Sequence, residues 1–557
     1  MASDADADPE AALAGGRWQE ARAGFERRLA TTGESAPACF GLATALWWLG
    51  ENHESVARAG RAYALFRQAG DAAGAARCAV WLAIVYKSNF DNVAAANGWL
   101  ARADRVLAPL VPGPLHGWVD VARAYRMADL GRAEGLTAHA LELATAAADA
   151  DLELVALAQL GLIRVSGGDG GGFALIDEAM AASLAGERST LDTVVYICCD
   201  MLSACEVTSD MERAAEWCRV ADDFVDAYGC PFLYAECRIC YGIVLVAKGQ
   251  WADAERQLLA GLRITEGACP GLHARALVRL AGLRIAQGRL GEADQLLARV
   301  SHGVEAGIER SNALAALALA RSDPATATRL LEARLGDLEA HRWLLAEALD
   351  LLVEAHLGTG DHAGATPAVR RLEELAAAGS SERAAALASA AAGRQAGVSG
   401  DRAAATVRLE GALEIWSRLD FPFETARTRA ALARVLAGHQ HEVAVDSAQR
   451  ALQAFEALGA TLEADRTAAL LRDLGAGPGA GPRSPGVLSR RELQVLRLLG
   501  EGLTNPEIGA RLYVSRKTAS HHVSAVLAKL NLRNRAEAAA YAAAMGTAGA
   551  AGEPDGE

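Results

Sequence analysis

Residues Gly249–Ile264 read GQWADAERQLLAGLRI. The apolar residues recur at helical spacing, and the same holds along almost the whole chain, whereas strand-like alternation is nearly absent. The opening phrase is a glycine or small residue, a polar residue, two or three variable positions and then alanine. It returns as GRWQEA at Gly16, GENHES at Gly50, GRAEGL at Gly131, GDGGGF at Gly168, SDMERA at Ser209, GRLGEA at Gly288 and SDPATA at Ser322. Later copies are GDHAGA at Gly360, GDRAAA at Gly400 and GHQHEV at Gly438, and a degenerate one, FDNVAA, starts at Phe90. From Gly16 the intervals are 34, 40 and 41 residues; from Gly131 they are 37, 41, 40, 39, 34, 38, 40 and 38. Such a period predicts helical hairpins with a glycine-containing tight turn. One hairpin cannot bury its apolar face, so neighbours stack into a solenoid. Glycine takes a bend that a side chain would obstruct, and alanine lets the helices approach closely.

GRWQEA, GQWADA and GRLGEA resemble the turn and second-helix start of tetratricopeptide repeats. The resemblance covers residues 16–474 and implies a tetratricopeptide-like α-solenoid. Trp47, Trp48, Trp81 and Trp99 read as solenoid core, with a ligand or peptide groove on the concave face as the alternative.

The 557 residues are 52% hydrophobic, with only 15 prolines, enough for several domains and a large core. No 18-residue apolar run lacks charges, and the acidic start MASDADADPEAA has no signal-peptide order. A cytoplasmic, membrane-free protein is expected. Seven of the ten cysteines lie between Cys198 and Cys240. In a reducing compartment they read as packed core thiols, the alternative being a redox or metal role for Cys237 and Cys240. Neither these nor His439 and His441 complete a metal site, so no metal or cofactor is expected.

GAGPGAGPRSPGV, Gly475–Val487, breaks the helical pattern and reads as a flexible linker over 475–487. Residues 1–15 and 547–557 read as disordered. Between the linker and the tail the charge changes sign. Residues 487–546 hold nine Arg/Lys and four Glu, giving +5; the last eleven residues carry −3, leaving −16 for residues 1–486 of the −14 total. A basic module on an acidic body separates a polyanion-binding part from one that does not touch polyanions.

Caps place four helices in that module, residues 488–546. Ser489–Glu492 and Thr504–Glu507 are capping boxes, the second with Pro506 in the first turn. Ser515 caps helix three, Asn531 ends it, and Asn534 opens helix four. On helix three Ala519, Val523, Val526, Leu527 and Leu530 share one face and should pack on Leu496, Leu499, Ile508 and Leu512. Lys517, Ser520, His521 and Ser524 share the other, the arrangement needed to meet base edges in a major groove. Arg516, Lys529, Arg533 and Arg535 surround it, placed with Lys517 for phosphates.

The module resembles the LuxR-type (GerE-type) helix-turn-helix family. The resemblance rests on Leu488–Glu492, Val495-Leu496, Gly502–Asn505, Glu507-Ile508, Leu512, Ser515, Lys517-Thr518, His522-Val523, Lys529-Leu530 and Arg535–Ala538. Ala519 stands where the family usually has valine, Asn531 where it often has glycine, and Ser520 where a charged residue is common. The resemblance implies base contacts by Ser520, His521 and Ser524, and dimerisation through helix four, Asn534–Met545. With the repeat body, the chain resembles an actinobacterial LuxR-family regulator, similar to MalT-like regulators without the nucleotide-binding domain. No GxxxxGK[ST] occurs. The implied partners are double-stranded DNA, a second copy of the chain on DNA, an unknown protein or small-molecule effector, and RNA polymerase. No nucleophile, base and orienting acid are arranged for catalysis, so the expectation is a transcriptional regulator and not an enzyme. The competing reading is a protein-interaction scaffold.

Overall fold

In the computed structural model every regular element among the described residues is a helix, from Pro9–Ala14 to Arg535–Gly549. The described residues are 8–125, 127, 129–208, 210–300, 304–339, 341–378, 381–476, 488, 490–512, 516–530, 532 and 534–549; for 304–308, 490, 516–518, 521, 528 and 543–549 this means the main chain alone. The chain divides into two compact units. One holds the residues up to Gln440 together with Arg450–Ala464; the other holds His441–Gln449 with Asp465 to the C-terminus. The expected linker falls almost wholly outside the described residues, from 477 to 487.

In the first unit two kinds of helix alternate. Pro231–Ala247 buries Phe232, Leu233, Ala235, Glu236, Cys237, Ile239, Cys240, Val244 and Leu245, nearly all round its circumference. Its partner Trp251–Thr265 buries a stripe at Trp251, Ala254, Leu258, Gly261, Leu262 and Thr265. Packing explains the difference. The first helix of each hairpin touches the first helix of the next, as Ala72–Ser88 does Pro114–Ala124 and Pro231–Ala247 does Pro270–Ala286. It is therefore covered on several sides, while the second helix covers it and faces water on its other side. Small residues set the spacing: a Cβ on Gly242 would lie 2.8 Å from Leu258, and one on Gly261 2.8 Å from Ile239.

The expected turns occur with left-handed backbone at Gly16, Gly50, Asp91, Gly168, Gly249, Gly288, Ser322, Gly360 and Gly400. At Gly288 the amide of Arg289 closes on the carbonyl of Arg284 at 2.8 Å, satisfying the helix end. Three copies of the phrase behave differently. Gly131 lies inside helix Leu130–Ala147, so there the phrase begins a helix instead of making the bend. Gly438 turns without positive φ, and Ser209 lies outside the described residues. A second series, absent from the phrase, joins one hairpin to the next at Gly33, Gly70, Ala148, Gly186, Gly229, Gly267, Asp420 and Gly459.

The repeats also touch beyond their neighbours. Trp18 donates its indole N–H to the Tyr228 carbonyl, 210 residues away. Asn52 reaches the Ala268 carbonyl at 2.9 Å, and Trp48 reaches Asp192 at 2.8 Å. Further on, Lys248 bonds the Leu419 carbonyl at 3.1 Å and Thr461 the Gln287 carbonyl at 2.8 Å. Successive turns of the superhelix therefore rest on each other within this unit, through separations of 144 to 216 residues.

The core assignment of the tryptophans is correct for Trp47, Trp48 and Trp81, which are buried; Trp99 is partly buried, with the Arg102 guanidinium 5.3 Å above its ring. Nine cysteines are buried and Cys199 is half-buried, all as free thiols. Burial pushes Cys198, Cys230 and Cys269 up to about 12, so they behave as apolar filling.

The expectation of disorder over residues 1–15 is corrected for Asp8–Gly15. Pro9–Ala14 is a helix capped by the Asp8 side chain, with Ala12 fully buried and Arg28 paired to Glu10. The alternation of Asp and Ala in the preceding residues concealed this short amphipathic segment. The disordered tail expected from Thr547 is likewise corrected at its start, because the last helix continues to Gly549.

Candidate nucleic-acid interface

Helix one, Arg490–Gly500, ends in a left-handed bend at Gly502, and the Leu503 amide closes on the Leu498 carbonyl at 3.1 Å. Thr504 opens helix two, Asn505–Leu512. Glu507 accepts from both the Thr504 amide and its hydroxyl, each at 2.6 Å. These two donors hold the Glu507 carboxyl below its ordinary range. The expected box is thus half reciprocal: the hydroxyl spends its proton on Glu507. Ser489, of the other box, lies outside the described residues. Arg491 ties helix one to the end of helix two by donating to the Leu512 carbonyl, a helix carboxyl end that a cation suits.

Helix three runs Arg516–Lys529. Its inner face meets helices one, two and four in one cluster. Ala519, Val523, Val526 and Leu530 are buried with Val495, Leu496, Leu499, Ile508 and Ala538, and Leu512 and Leu527 pack beside them. All the contacts expected of the apolar face are present. On the other face Ser520 and Ser524 are exposed, one helical turn apart. His522 is half-buried on the flank. Helix four, Arg535–Gly549, starts at an Asn534 side-chain cap on the Glu537 amide at 3.0 Å. It lies so close to helix one that a Cβ on Gly500 would stand 2.7 Å from the Ala542 Cβ.

The expected phosphate ligands divide into two groups. Lys529 and Arg535 have partners inside the unit. Lys529 Nζ sits 2.8 Å from Glu492 Oε2, a carboxylate with 9% side-chain exposure, and Arg535 Nη1 donates to Asn505 Oδ1 at 3.0 Å. Both side chains hold helices together, a role the sequence reading missed. No local signal gave it, because Glu492 and Asn505 reach Lys529 and Arg535 only once the fold brings the helices together. For Arg516 and Lys517 only the main chain is described, at the first turn of helix three; the His521 side chain and Arg533 lie outside the described residues. No acidic residue occurs between Tyr513 and Leu530, so helix three itself brings no negative side chain to the exposed face that holds Ser520 and Ser524.

Residues 486–542 match the family model for bacterial regulatory proteins of the luxR family. The C-terminal unit carries a LuxR-family helix-turn-helix domain. The transcriptional regulatory protein LiaR of Bacillus subtilis is 46% identical over 55 residues, 10% of this chain and 26% of the relative. The DNA-binding transcriptional activator DevR/DosR of Mycobacterium tuberculosis is 36% identical over 118 residues, 20% of this chain and 54% of the relative. The chain thus spans between about a quarter and about half of the length of these relatives. Among solved structures, a Rap protein complexed with competence and sporulation factor aligns with 58% of this chain and 99% of its own, at TM-score 0.39 and 10% identity. Yeast Tom70 aligns with 79% and 97%, at TM-score 0.34 and 9% identity. Within this LuxR-family domain, Ser520 and Ser524 lie on the exposed face of helix three.

Proposed function

We propose that the chain is a sequence-specific transcriptional regulator that binds double-stranded DNA through helix three and senses a ligand or partner protein with its repeat body. The observation that carries the reading is the outward pair Ser520 and Ser524 on a helix whose apolar face is wholly absorbed by a LuxR-family core. In this reading Ser520, His521 and Ser524 contact base edges, while Arg516, Lys517 and Arg533 contact phosphates. Lys529 and Arg535 reach a phosphate only with the part of their donor capacity left by Glu492 and Asn505. Two copies joined through helix four occupy paired half-sites. The Gly/Pro stretch 475–487 acts as a tether between the body, 8–474, and the domain, 488–549, so the state of the body changes the effective concentration of the second domain on DNA. Genome-wide mapping of bound DNA, followed by gel shifts on the recovered fragments, tests the reading. Discrete sites whose binding weakens with Ser524→Ala support it; uniform binding to unrelated fragments, or none, rejects it.

A further inference from the structure

The first unit holds a partly open cavity of about 300 Å³, at the lower end of the size range of small-molecule pockets. It is lined by helices from several hairpins: Ala72–Ser88, Val93–Leu107, Pro114–Ala124, Asp192–Thr208, Pro231–Ala247 and Pro270–Ala286. Tyr125, Ser203 and Arg275 also border a smaller void of about 160 Å³. These helices are the covered members of their hairpins, apart from Val93–Leu107. An occupant would touch elements that are far apart in sequence.

Two aromatic pairs form part of the wall. Trp118 and Tyr196 have ring centroids 6.2 Å apart, and Trp47 and Phe232 6.1 Å. The charged groups at the wall are balanced: Lys87, Arg123 and Arg275 against Asp91, Asp104 and Glu236. They are also engaged within the protein. Arg123 holds Asp104 at 2.7 Å, Arg275 holds Glu236 at 2.9 Å, and Lys87 donates to the Tyr125 carbonyl. With Arg123 and Arg275 each holding a carboxylate of the wall and the total charge balanced, a ligand carrying a net charge would lose its hydration without meeting a net opposite charge.

Two donors at the wall are unused. The Trp47 indole N–H is buried without a hydrogen-bond partner among the described residues. The indoles of Trp18, Trp48 and Trp251 have acceptors; that of Trp416, which does not line the cavity, has none among the described residues either. Nor does the Tyr196 hydroxyl make a hydrogen bond among the described residues, although the ring lines the cavity; burial raises its pKa and keeps it protonated. A buried donor without an acceptor, such as the Trp47 N–H, is uncommon in folded proteins, and a bound acceptor accounts for it; the Tyr196 hydroxyl, on a half-buried side chain, is a second donor with no partner among the described residues. We infer that the cavity is a binding site for an uncharged, largely apolar small molecule whose hydrogen-bond-accepting oxygens meet Trp47 and Tyr196. This deepens, and rests on, the reading of the repeat body as a sensor.

The test uses the full chain and three fluorescent naphthalenes: 6-propionyl-2-dimethylaminonaphthalene, which is neutral with a ketone oxygen; the analogue with a carboxylate in place of the propionyl group; and 2-dimethylaminonaphthalene, without the oxygen. The ketone is expected to bind one per chain with a blue-shifted emission, at least about 10-fold more tightly than the carboxylate. Trp47→Phe and Tyr196→Phe should each weaken the ketone about 3- to 10-fold and leave the oxygen-free probe unchanged. Ser203→Trp, which fills the cavity, should abolish binding of both, with folding followed by circular dichroism. Equal or tighter binding of the carboxylate, or a folded Ser203→Trp chain with unaltered ketone affinity, overturns the proposal. If Ser203→Trp does not fold, the two phenylalanine variants decide: an unchanged ratio of ketone to oxygen-free affinity overturns it. DNA retention measured in the same samples separates the two readings. Ketone binding with DNA affinity unmoved refutes sensing and leaves the site standing.

Discussion

Ser524 and Lys529 lie on one helix, five residues apart, and the structure gives them different work. Ser524 is exposed and its side chain makes no hydrogen bond with another described residue, so Ser524→Ala should leave folding unchanged and alter preference at a few base positions by about 1–3 kcal/mol, read by binding to a randomised site library. Lys529 instead neutralises Glu492, whose carboxylate is almost covered. Lys529→Met should cost about 1–2 kcal/mol of domain stability, less than for a fully buried pair because the lysine side chain is 43% exposed. Amide exchange in helix three measures it, and DNA affinity should fall equally for all sequences. In the repeat body the informative residue is Asp192. Burial pushes its carboxyl up to about 6 from 3.8, against the opposing hydrogen bond from Trp48. A carboxyl whose folded pKa is raised takes no stability from the fold below its unfolded pKa, and takes a growing amount as pH climbs toward the folded value, because the folded state must give up a proton the unfolded chain has already lost. The chain therefore loses stability as pH rises from about 4 to about 6. Asp192→Asn keeps an acceptor for Trp48 and removes the charge. It should raise the melting temperature at pH 7, with a gain that shrinks at pH 5; equal shifts at both values would refute the assignment.

At the scale of the element, the turn phrase shows what a sequence can and cannot expose. Its glycines mark left-handed bends within hairpins because the backbone requirement is local, and local requirements leave a residue signature. The bends between hairpins share the conformation, but at Ala148 and Asp420 residues other than glycine accept it, and the surrounding phrase is not repeated. The same logic separates the helix-three assignments. The periodicity of Ala519, Val523, Val526 and Leu530 was sufficient to place the buried face, whereas the engagement of Lys529 depends on the fold bringing Glu492 across from helix one. Gly288 and Gly400 test how much of a turn is local. Both have positive φ, at 78° and 88°. A Cβ on Gly400 would meet nothing within 4 Å, whereas one on Gly288 would lie 2.4 Å from Thr461 Oγ1 and 3.1 Å from the Leu462 amide. Gly400→Ala should cost about 1–2 kcal/mol of backbone strain alone. Gly288→Ala should cost about 1–3 kcal/mol more, because the contact between superhelical turns must open. Urea unfolding of the two variants gives the difference, and equal losses would mean that the contact contributes nothing.

At the scale of the whole molecule, the charge division and the contacts between superhelical turns bear on how the body could influence a DNA-binding domain. A solenoid whose repeats touch only their neighbours transmits a change stepwise. Here loops 171 to 216 residues apart are joined, so the rearrangement of one superhelical turn is felt by the next. None of this was legible in the period, which reports nearest-neighbour stacking and is silent about pitch. The charge division was legible and has a measurable consequence. If the acidic body acts by tethering a pair of basic domains, the full chain should bind its sites more tightly than residues 483–557 alone by about 10²- to 10⁴-fold. Both should lose affinity with salt, and the full chain more steeply, because two domains displace counterions from twice as many phosphates. Neutralising Arg497 and Arg511, which lie outside the proposed phosphate set, should change neither slope. Binding curves at several salt concentrations for the two species decide the matter. Equal affinity and equal slope would place the whole of the binding in a single domain and remove the body from the control of DNA occupancy.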